Sequence, residues 1–253
     1  MAHFKDHFST KSDQYQRYRP TYPKSLFEYL ASLCPSHECA WDCATGTGQA
    51  AMQLVTHFSQ VIATDASEQQ VNQLPRHPHL EGRVMLAEQV DFTDNSIDLI
   101  TVAQALHWFD QTQFYDQAWR ILKPNAIIAI WSYNLLSIKP AIDNIIQHYY
   151  HEIVGPYWPK ERLIIERGYA PIPAPFDSIA PPEFAMSTHW RLADLLGYLA
   201  TWSASKYYRE AKGDDPLSLI TPSLTEAWGE PDTQYPVHWP MQLLIGQKKP
   251  ASC

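Results

Sequence analysis

A glycine-rich turn and two acidic residues near it are the residues of this sequence whose types and spacing first indicate chemistry. The turn, Gly46 to Ala51, matches the pattern G-x-G-x-x-A, and Asp65 follows at about the distance expected of an acid that binds ribose hydroxyls. Asp42 lies just ahead of the glycines. Glycines allow the backbone to approach a nucleotide closely, because they carry no side chain. The sequence therefore predicts a cofactor that contains a nucleoside.

The position of Asp42 favours S-adenosyl-L-methionine over a dinucleotide. A carboxylate in the strand ahead of the turn can meet a cationic amino group, whereas it would repel the pyrophosphate of NAD. The segments after the fifth predicted strand also supply no second strand-helix-strand half for a nicotinamide. We therefore expect S-adenosylmethionine as the cofactor and no metal. An NAD(P)-dependent oxidoreductase remains an alternative, and so does a non-catalytic protein that binds S-adenosylmethionine.

Each acidic residue near the turn also has a purely structural interpretation. Asp65 could form a turn or cap a helix, Glu88 could be solvated surface, and Asp42 could be a buried, hydrogen-bonded carboxylate. We expect Asp65 to bind ribose because of its register with the glycines. Glu88 is expected beside the adenine because it follows the third predicted strand at the same edge of the sheet.

Short apolar segments alternate with helical segments along the first half of the chain. The predicted strands are Cys39 to Cys43, Val61 to Thr64 ending at Asp65, Arg83 to Ala87, Ile97 to Ala103 and Ala126 to Trp131. The predicted helices are Pro23 to Leu33, Gln49 to Phe58, one capped by Ser67, and Asp110 to Leu122, which Asp110 caps. This order predicts an α/β protein with a doubly wound, mostly parallel, seven-stranded Rossmann-like sheet and a helical cap insertion.

The chain is expected to form a single domain with four parts. These are an N-terminal lid and helix (1–35), a cofactor-binding core (36–133), a cap or insertion (134–185) and a C-terminal part of the core (186–253). The cap is inferred because its segment is rich in Pro, Tyr and Trp and lacks the strand-helix alternation. The last part should contain an amphipathic helix over Arg191 to Ala204 and a long final strand over Val237 to Gly246.

Composition excludes several classes of function. The formal charge is −8 and no Lys or Arg cluster exceeds a pair, so the basic footprint of a nucleic-acid-binding protein is missing. The longest apolar run, Ala126 to Trp131, is too short to span a bilayer. We therefore expect a cytoplasmic protein whose partner is a small molecule. The four cysteines lack metal-ligand spacing and are expected to be free thiols.

Several longer segments carry a family resemblance. They are Tyr15 to Pro23, Trp41 to Gln49, Ala103 to Asp110, Thr201 to Ala204 and the tail Val237 to Lys248. With them, most of the chain resembles the class I S-adenosylmethionine-dependent methyltransferases, particularly the methyltransferase type 11 branch that includes trans-aconitate methyltransferase-like proteins.

The resemblance implies which residues hold the cofactor. They are Asp42, Gly46 and Gly48 at the methionine end, Asp65 at the ribose, Ala87 and Glu88 at the adenine, and Gln104 near the methionine part or the transferring methyl. Ala66, next to Asp65, is also expected to contact the cofactor. The sequence departs from the family pattern at Ala44, where glycine is common. Because alanine permits ordinary φ values, we expect binding to survive at Ala44 with a slightly altered turn.

The methyl acceptor is left open by these residues. If it is a carboxylic acid, it needs a cation to orient it, and the candidates are Arg17, Arg19, Lys206 and Arg209. If it is a hydroxyl, thiol or carbon acid, His107 is placed to act as a base, although it could also be a packing histidine. Trp108 is expected to line the acceptor pocket.

The N-terminal segment places Tyr15, Arg17, Tyr18, Arg19 and Tyr22 within eight positions and has no core periodicity. Aromatic rings can cover a sulfonium, and arginines can meet a carboxylate. We therefore expect this segment to fold over the bound cofactor as a lid, with Tyr15 and Arg19 contacting the cofactor.

Overall fold

The computed structural model describes residues 20–249, apart from residues 167 and 174 and the side chain of residue 163. Its eight strands are β1 Cys39–Cys43, β2 Gln60–Asp65, β3 Leu80–Val84, β4 Ile97–Ala103, β5 Leu122–Tyr133, β6 Asp177–Ile179, β7 Ala185–Trp190 and β8 Tyr235–Gln247. The helices are α1 Lys24–Leu33, α2 Ala51–Leu54, α3 Glu68–Val71, α4 Gln111–Ile121, α5 Pro140–His148, α6 Arg162–Glu166, α7 Leu192–Ala200, α8 Ser203–Lys212 and α9 Thr221–Trp228.

The sheet has the order β3-β2-β1-β4-β5-β8-β6, with β7 paired to β8 away from this path. The first five strands are parallel, and the pairings of β8 are antiparallel. Because the order reverses between β1 and β4, the carboxyl ends of these two strands flank a topological switch point, where open α/β sheets bind ligands. The predicted α/β fold is confirmed.

The sheet has one strand more than the seven expected, because the long strand β8 is used twice. Residues 241–247 of β8 pair with β5, and residues 235–240 pair with β7. The sequence pattern showed the final strand but did not show that its first half leaves the main sheet.

Three other predicted elements differ in extent. The third strand begins at Leu80 instead of Arg83, because β3 is an edge strand that lacks the apolar content of a buried one. The predicted helix Gln49 to Phe58 is regular only over α2, and turns flank it. The predicted helix Arg191 to Ala204 is interrupted at Trp202, which is the N-cap residue of α8.

Apolar side chains collect in three clusters. Two of them cover opposite faces of the central strands. The third joins residues 133–158 to residues 186–239 and forms the core of the cap region. Residues 165–176 instead pack on the sheet beside α4. The range predicted for the cap, 134–185, therefore does not coincide with the third cluster.

Candidate functional site

The glycine turn follows β1 at the carboxyl edge of the sheet. Gly46 and Gly48 both have left-handed φ angles, +58° and +86°. A Cβ on Gly48 would lie 2.7 Å from Leu74 Cδ2, whereas a Cβ on Gly46 would have no atom within 4 Å. Gly48 is thus required for close packing under the turn, and Gly46 faces open space. This open face allows a ligand to approach the backbone directly.

Asp65 ends β2 beside this turn. Its Oδ2 accepts a hydrogen bond of 3.0 Å from the Gly46 N–H, and its Oδ1 accepts one of 2.9 Å from the Ser67 N–H. Asp65 is half-buried. These two bonds orient the Asp65 carboxylate at the edge of the turn.

Asp42 is fully buried in β1, and both of its oxygens are used within the protein. Oδ2 accepts hydrogen bonds from the Thr45 hydroxyl (2.6 Å) and the Ala51 N–H (3.1 Å), and Oδ1 accepts one from the Thr101 hydroxyl (2.6 Å). Burial outweighs these bonds and raises the pKa of Asp42 to about 6. Asp42 therefore joins β1, the turn, α2 and β4, and its expected contact with the methionine end of the cofactor stays a prediction.

Ala44 adopts a left-handed φ of +53°, which differs from the ordinary φ expected from the sequence. The turn must reverse here so that Thr45 N–H can donate to Thr64 O (2.9 Å). Gln104, which follows β4, is also left-handed, with φ +57°. Its side chain donates to Tyr133 O (3.0 Å) and accepts from Tyr133 N–H (3.1 Å). Two strained residues thus lie at the ends of adjacent strands, as is common at functional sites.

Replacing Ala44 with glycine should stabilise the fold by about 0.5 to 1 kcal/mol. The left-handed conformation costs an alanine roughly 1 to 2 kcal/mol, and the greater entropy of glycine in the unfolded chain offsets part of the gain. Urea unfolding of the two proteins measures the difference. Destabilisation by Ala44→Gly would show that Ala44 is not strained in solution.

The other residues predicted to bind the nucleoside part of the cofactor lie around the same edge. Ala87 is buried and Ala66 is half-buried. Glu88 is also half-buried, and its Oε1 accepts a hydrogen bond of 2.8 Å from the Asp110 N–H at the start of α4. Asp42, Asp65 and Glu88 all lie near Cys43 at the end of β1. Burial raises the pKa of the Cys43 thiol most, and the negative charges of these three residues raise it further.

Beyond β4, the turn Leu106–Trp108 presents His107 and Trp108. The His107 ring is buried, and its Nδ1 lies 2.9 Å from the Tyr169 hydroxyl. This hydrogen bond holds the imidazole and the phenol together, and either group can be its donor according to the tautomer of the ring. Burial, together with the charge of Arg162, lowers the pKa of His107 to about 3, so the ring is neutral.

Trp108 has 38% of its surface exposed and stacks obliquely on His107, with ring centres 4.7 Å apart. An exposed tryptophan at the carboxyl edge of the sheet is consistent with a wall of a ligand pocket. Its predicted role at the acceptor stays a prediction.

The cations expected to orient an acidic acceptor either pair with acidic side chains or lie outside the described residues. Lys206 pairs with Glu210 (3.9 Å) and Arg209 with Asp215 (3.2 Å). Tyr15, Arg17, Tyr18 and Arg19 lie outside the described residues. The chain does enter the described part at the site, because Gln49 Nε2 donates to Pro20 O (3.0 Å).

Two residues that sequence reasoning missed, Tyr169 and Arg162, lie close to His107. Both come from the proline-rich stretch after the cap helices, where no periodicity indicated contact with β4. The one available signal was composition, since a tyrosine and an arginine in a long irregular segment are typical of a binding loop.

The site fits a nucleoside cofactor with a charged amino-acid end. The open face of Gly46 and the half-buried Asp65 suit a ribose. At the carboxyl end of β5, Ser132 Oγ and Asn134 Oδ1 are buried without a hydrogen-bond partner among the described residues. Buried polar atoms of this kind favour a polar ligand. Within residues 20–249 as described, no cluster of acidic, histidine or cysteine side chains forms a metal site, and no helix is long and apolar enough to cross a membrane.

Comparison with known proteins agrees with this geometry. A family model described as a methyltransferase domain matches residues 41–130, which contain β1, the glycine turn, Asp65 and His107. A protein of Dictyostelium discoideum whose name designates it a methyltransferase is 32% identical, and the alignment covers 97% of this chain and 96% of that protein. This chain belongs to the class I S-adenosylmethionine-dependent methyltransferases.

Solved methyltransferase structures share the fold. A type II methyltransferase from Anaeromyxobacter dehalogenans superimposes with a TM-score of 0.86 at 37% identity, over 92% of this chain and 99% of that chain. Phosphoethanolamine N-methyltransferase 2 of Haemonchus contortus, solved with S-adenosyl-L-methionine, has a TM-score of 0.50 at 15% identity and covers 96% of this chain and 58% of that one. Because the chain belongs to the class I S-adenosylmethionine-dependent methyltransferases, S-adenosylmethionine is its cofactor, and the dinucleotide alternative is set aside.

Proposed function

We propose that this methyltransferase acts on a small molecule and that its acceptor is a carboxylic acid. One observation carries the first part of the proposal. Helix α6 packs against the turn Leu106–Trp108, so this helix covers part of the region beyond the carboxyl end of β4. A covered site suits a small acceptor better than a macromolecule.

The state of His107 supports a carboxylic acid. When bound, S-adenosylmethionine supplies a methyl group attached to a cationic sulfur. The sulfur is the leaving group and keeps the bonding electrons. An alcohol or carbon acid would have to lose a proton during transfer, but burial lowers the pKa of His107 to about 3, and its Nδ1 is engaged in a hydrogen bond with the Tyr169 hydroxyl. A carboxylate is anionic at neutral pH and needs no base. The resemblance to trans-aconitate methyltransferase-like proteins supports the same acceptor class.

The protein then contributes mainly alignment and exclusion of water. Asp65 and the open turn at Gly46 would hold the nucleoside, while Asp42 keeps the turn in place. Trp108 and the cap would bound the acceptor. A cytoplasmic location and a small molecule as partner, without nucleic acid or membrane, belong to the same proposal and agree with the net charge of −8.

Incubation of the protein with a metabolite extract and S-adenosylmethionine carrying a labelled methyl group tests this function. We expect the label in a small-molecule fraction, and we expect mild alkali to release it as methanol because methyl esters are saponified. Label in protein or nucleic acid would contradict the small-molecule acceptor. Alkali-stable label in a small molecule would contradict the carboxylic acid, and no transfer at all would favour a non-catalytic binding protein.

A further inference from the structure

Arg162, the first residue of α6, has aromatic groups around its guanidinium instead of carboxylates. Its Nε donates a hydrogen bond of 2.8 Å to the Tyr150 hydroxyl. The guanidinium carbon lies 5.1 Å from the ring centre of Trp158 and 5.6 Å from that of Tyr150. The Nε hydrogen bond and the two ring contacts together orient the guanidinium of this half-buried arginine.

The remaining donors of Arg162 are not used. Its two terminal nitrogens have no hydrogen-bond partner and no carboxylate in an ion pair among the described residues. Glu166 is connected to Arg162 only indirectly. It accepts a hydrogen bond from the Tyr150 hydroxyl, whose oxygen accepts the hydrogen bond from Arg162 Nε. Unused guanidinium nitrogens in a partly buried place form a preorganised fork for a carboxylate.

The other described arginines differ in this respect. The four that pair with a carboxylate are Arg83, Arg120, Arg191 and Arg209. Arg76 is exposed to solvent. Among the described arginines, Arg162 alone is both half-buried and without an acidic partner. In a protein with a net charge of −8, such a cation indicates an anion supplied from outside the chain.

Arg162 lies next to the part of the site assigned to the acceptor. Helix α6 packs against the turn Leu106–Trp108, and Tyr169, three residues beyond the end of α6, bonds to His107. The half-buried Trp158 lies against the guanidinium, and the partly exposed Trp108 belongs to the turn that α6 packs against. The Arg162 cation and two indole rings are therefore carried by neighbouring elements beyond β4.

We propose that Arg162 binds the carboxylate of the methyl acceptor and that this carboxylate is attached to an apolar or aromatic body that contacts the indole rings. The assignment rests on the proposed function, and it names the specificity-determining residue and the substrate class. A bidentate guanidinium contact holds both carboxylate oxygens and sets which way the acceptor faces.

Calorimetric titration of the protein saturated with S-adenosylhomocysteine tests the assignment. The probes are 3-phenylpropionate, octanoate and succinate, each compared with its neutral amide. We expect at least one of the two apolar acids to bind the wild type about tenfold to a hundredfold more tightly than its amide, because a charge-assisted hydrogen bond contributes about 1.5 to 3 kcal/mol. Arg162→Gln should remove this preference, and Arg162→Lys should keep part of it. The exposed Arg76→Gln is the matched control and should behave as the wild type.

The outcomes separate this assignment from the function on which it rests. S-adenosylhomocysteine should bind the wild type and all variants equally, and failure of the wild type to bind it would contradict the proposed function. With that binding intact, an apolar acid that binds no better than its amide, or a preference that survives in Arg162→Gln, would overturn the role of Arg162. Tighter binding of succinate than of both apolar acids would overturn the apolar body.

Discussion

Replacing Asp42 with alanine should lower the free energy of unfolding by about 3 to 5 kcal/mol at pH 7, because it leaves buried donors without an acceptor. Three donors converge on this carboxylate: the hydroxyls of Thr45 and Thr101 and the N–H of Ala51. Asp42→Asn retains one acceptor oxygen and should lose less. Urea unfolding of the wild type and the two variants measures these losses.

The asparagine variant also separates a structural role for Asp42 from direct binding of the cofactor. Since Asp42 is fully buried, Asp42→Asn should leave the affinity for S-adenosylhomocysteine within about threefold, a change of less than 1 kcal/mol. A folded Asp42→Asn protein that loses more than this, or an alanine variant as stable as the wild type, would contradict the structural role.

Stability should fall more steeply with acid in the wild type than in a His107→Gln variant. Burial lowers the pKa of His107 to about 3, from an ordinary value of 6.5. The unfolded chain therefore binds a proton at His107 that the folded protein does not. The stability that His107 contributes is present above about pH 6.5 and is lost as the pH falls toward 3. Between pH 8 and pH 4 the wild type should lose about 3 kcal/mol more than the variant.

Asp42 changes the pH dependence of stability in the opposite direction over part of the range between pH 4 and pH 8. Its folded pKa of about 6 is raised, so the stability it contributes is present below about pH 4 and is lost as the pH rises through 6. The comparison between wild type and His107→Gln cancels this effect, because both proteins contain Asp42. His189→Gln, at an exposed histidine, is the matched control and should leave the acid dependence unchanged. Parallel pH profiles for wild type and His107→Gln would show that the imidazole is not buried as described.

The parts of the fold that the sequence predicted well are those where burial is complete. Strands β1 and β4 were predicted at their observed bounds, since every residue of β4 up to Val102 is buried and most of them are apolar. The caps at Ser67 and Asp110 were also confirmed, because a short polar side chain before a helix has few other uses. The edge strand β3 was misplaced by three residues because it carries no such pattern.

The site was predictable only where local geometry determined it. The glycine turn and Asp65 follow directly from the strand-turn-helix order and were found in contact. The left-handed φ of Ala44 was not foreseen, because the residue type does not require it. Arg162 and Tyr169 were missed because they approach His107 through tertiary packing, which no spacing in the chain encodes.

Binding of S-adenosylhomocysteine at the end of β2, measured by calorimetry, tests the central claim most directly. The wild type should bind S-adenosylhomocysteine and should not bind NAD. Asp65→Ala should weaken the binding by about 1 to 3 kcal/mol, since a charged acceptor of two ribose hydroxyls is lost, while the exposed Asp91→Ala should not change it. Tight binding of NAD by the wild type, or an unchanged dissociation constant for S-adenosylhomocysteine in folded Asp65→Ala, would contradict the account.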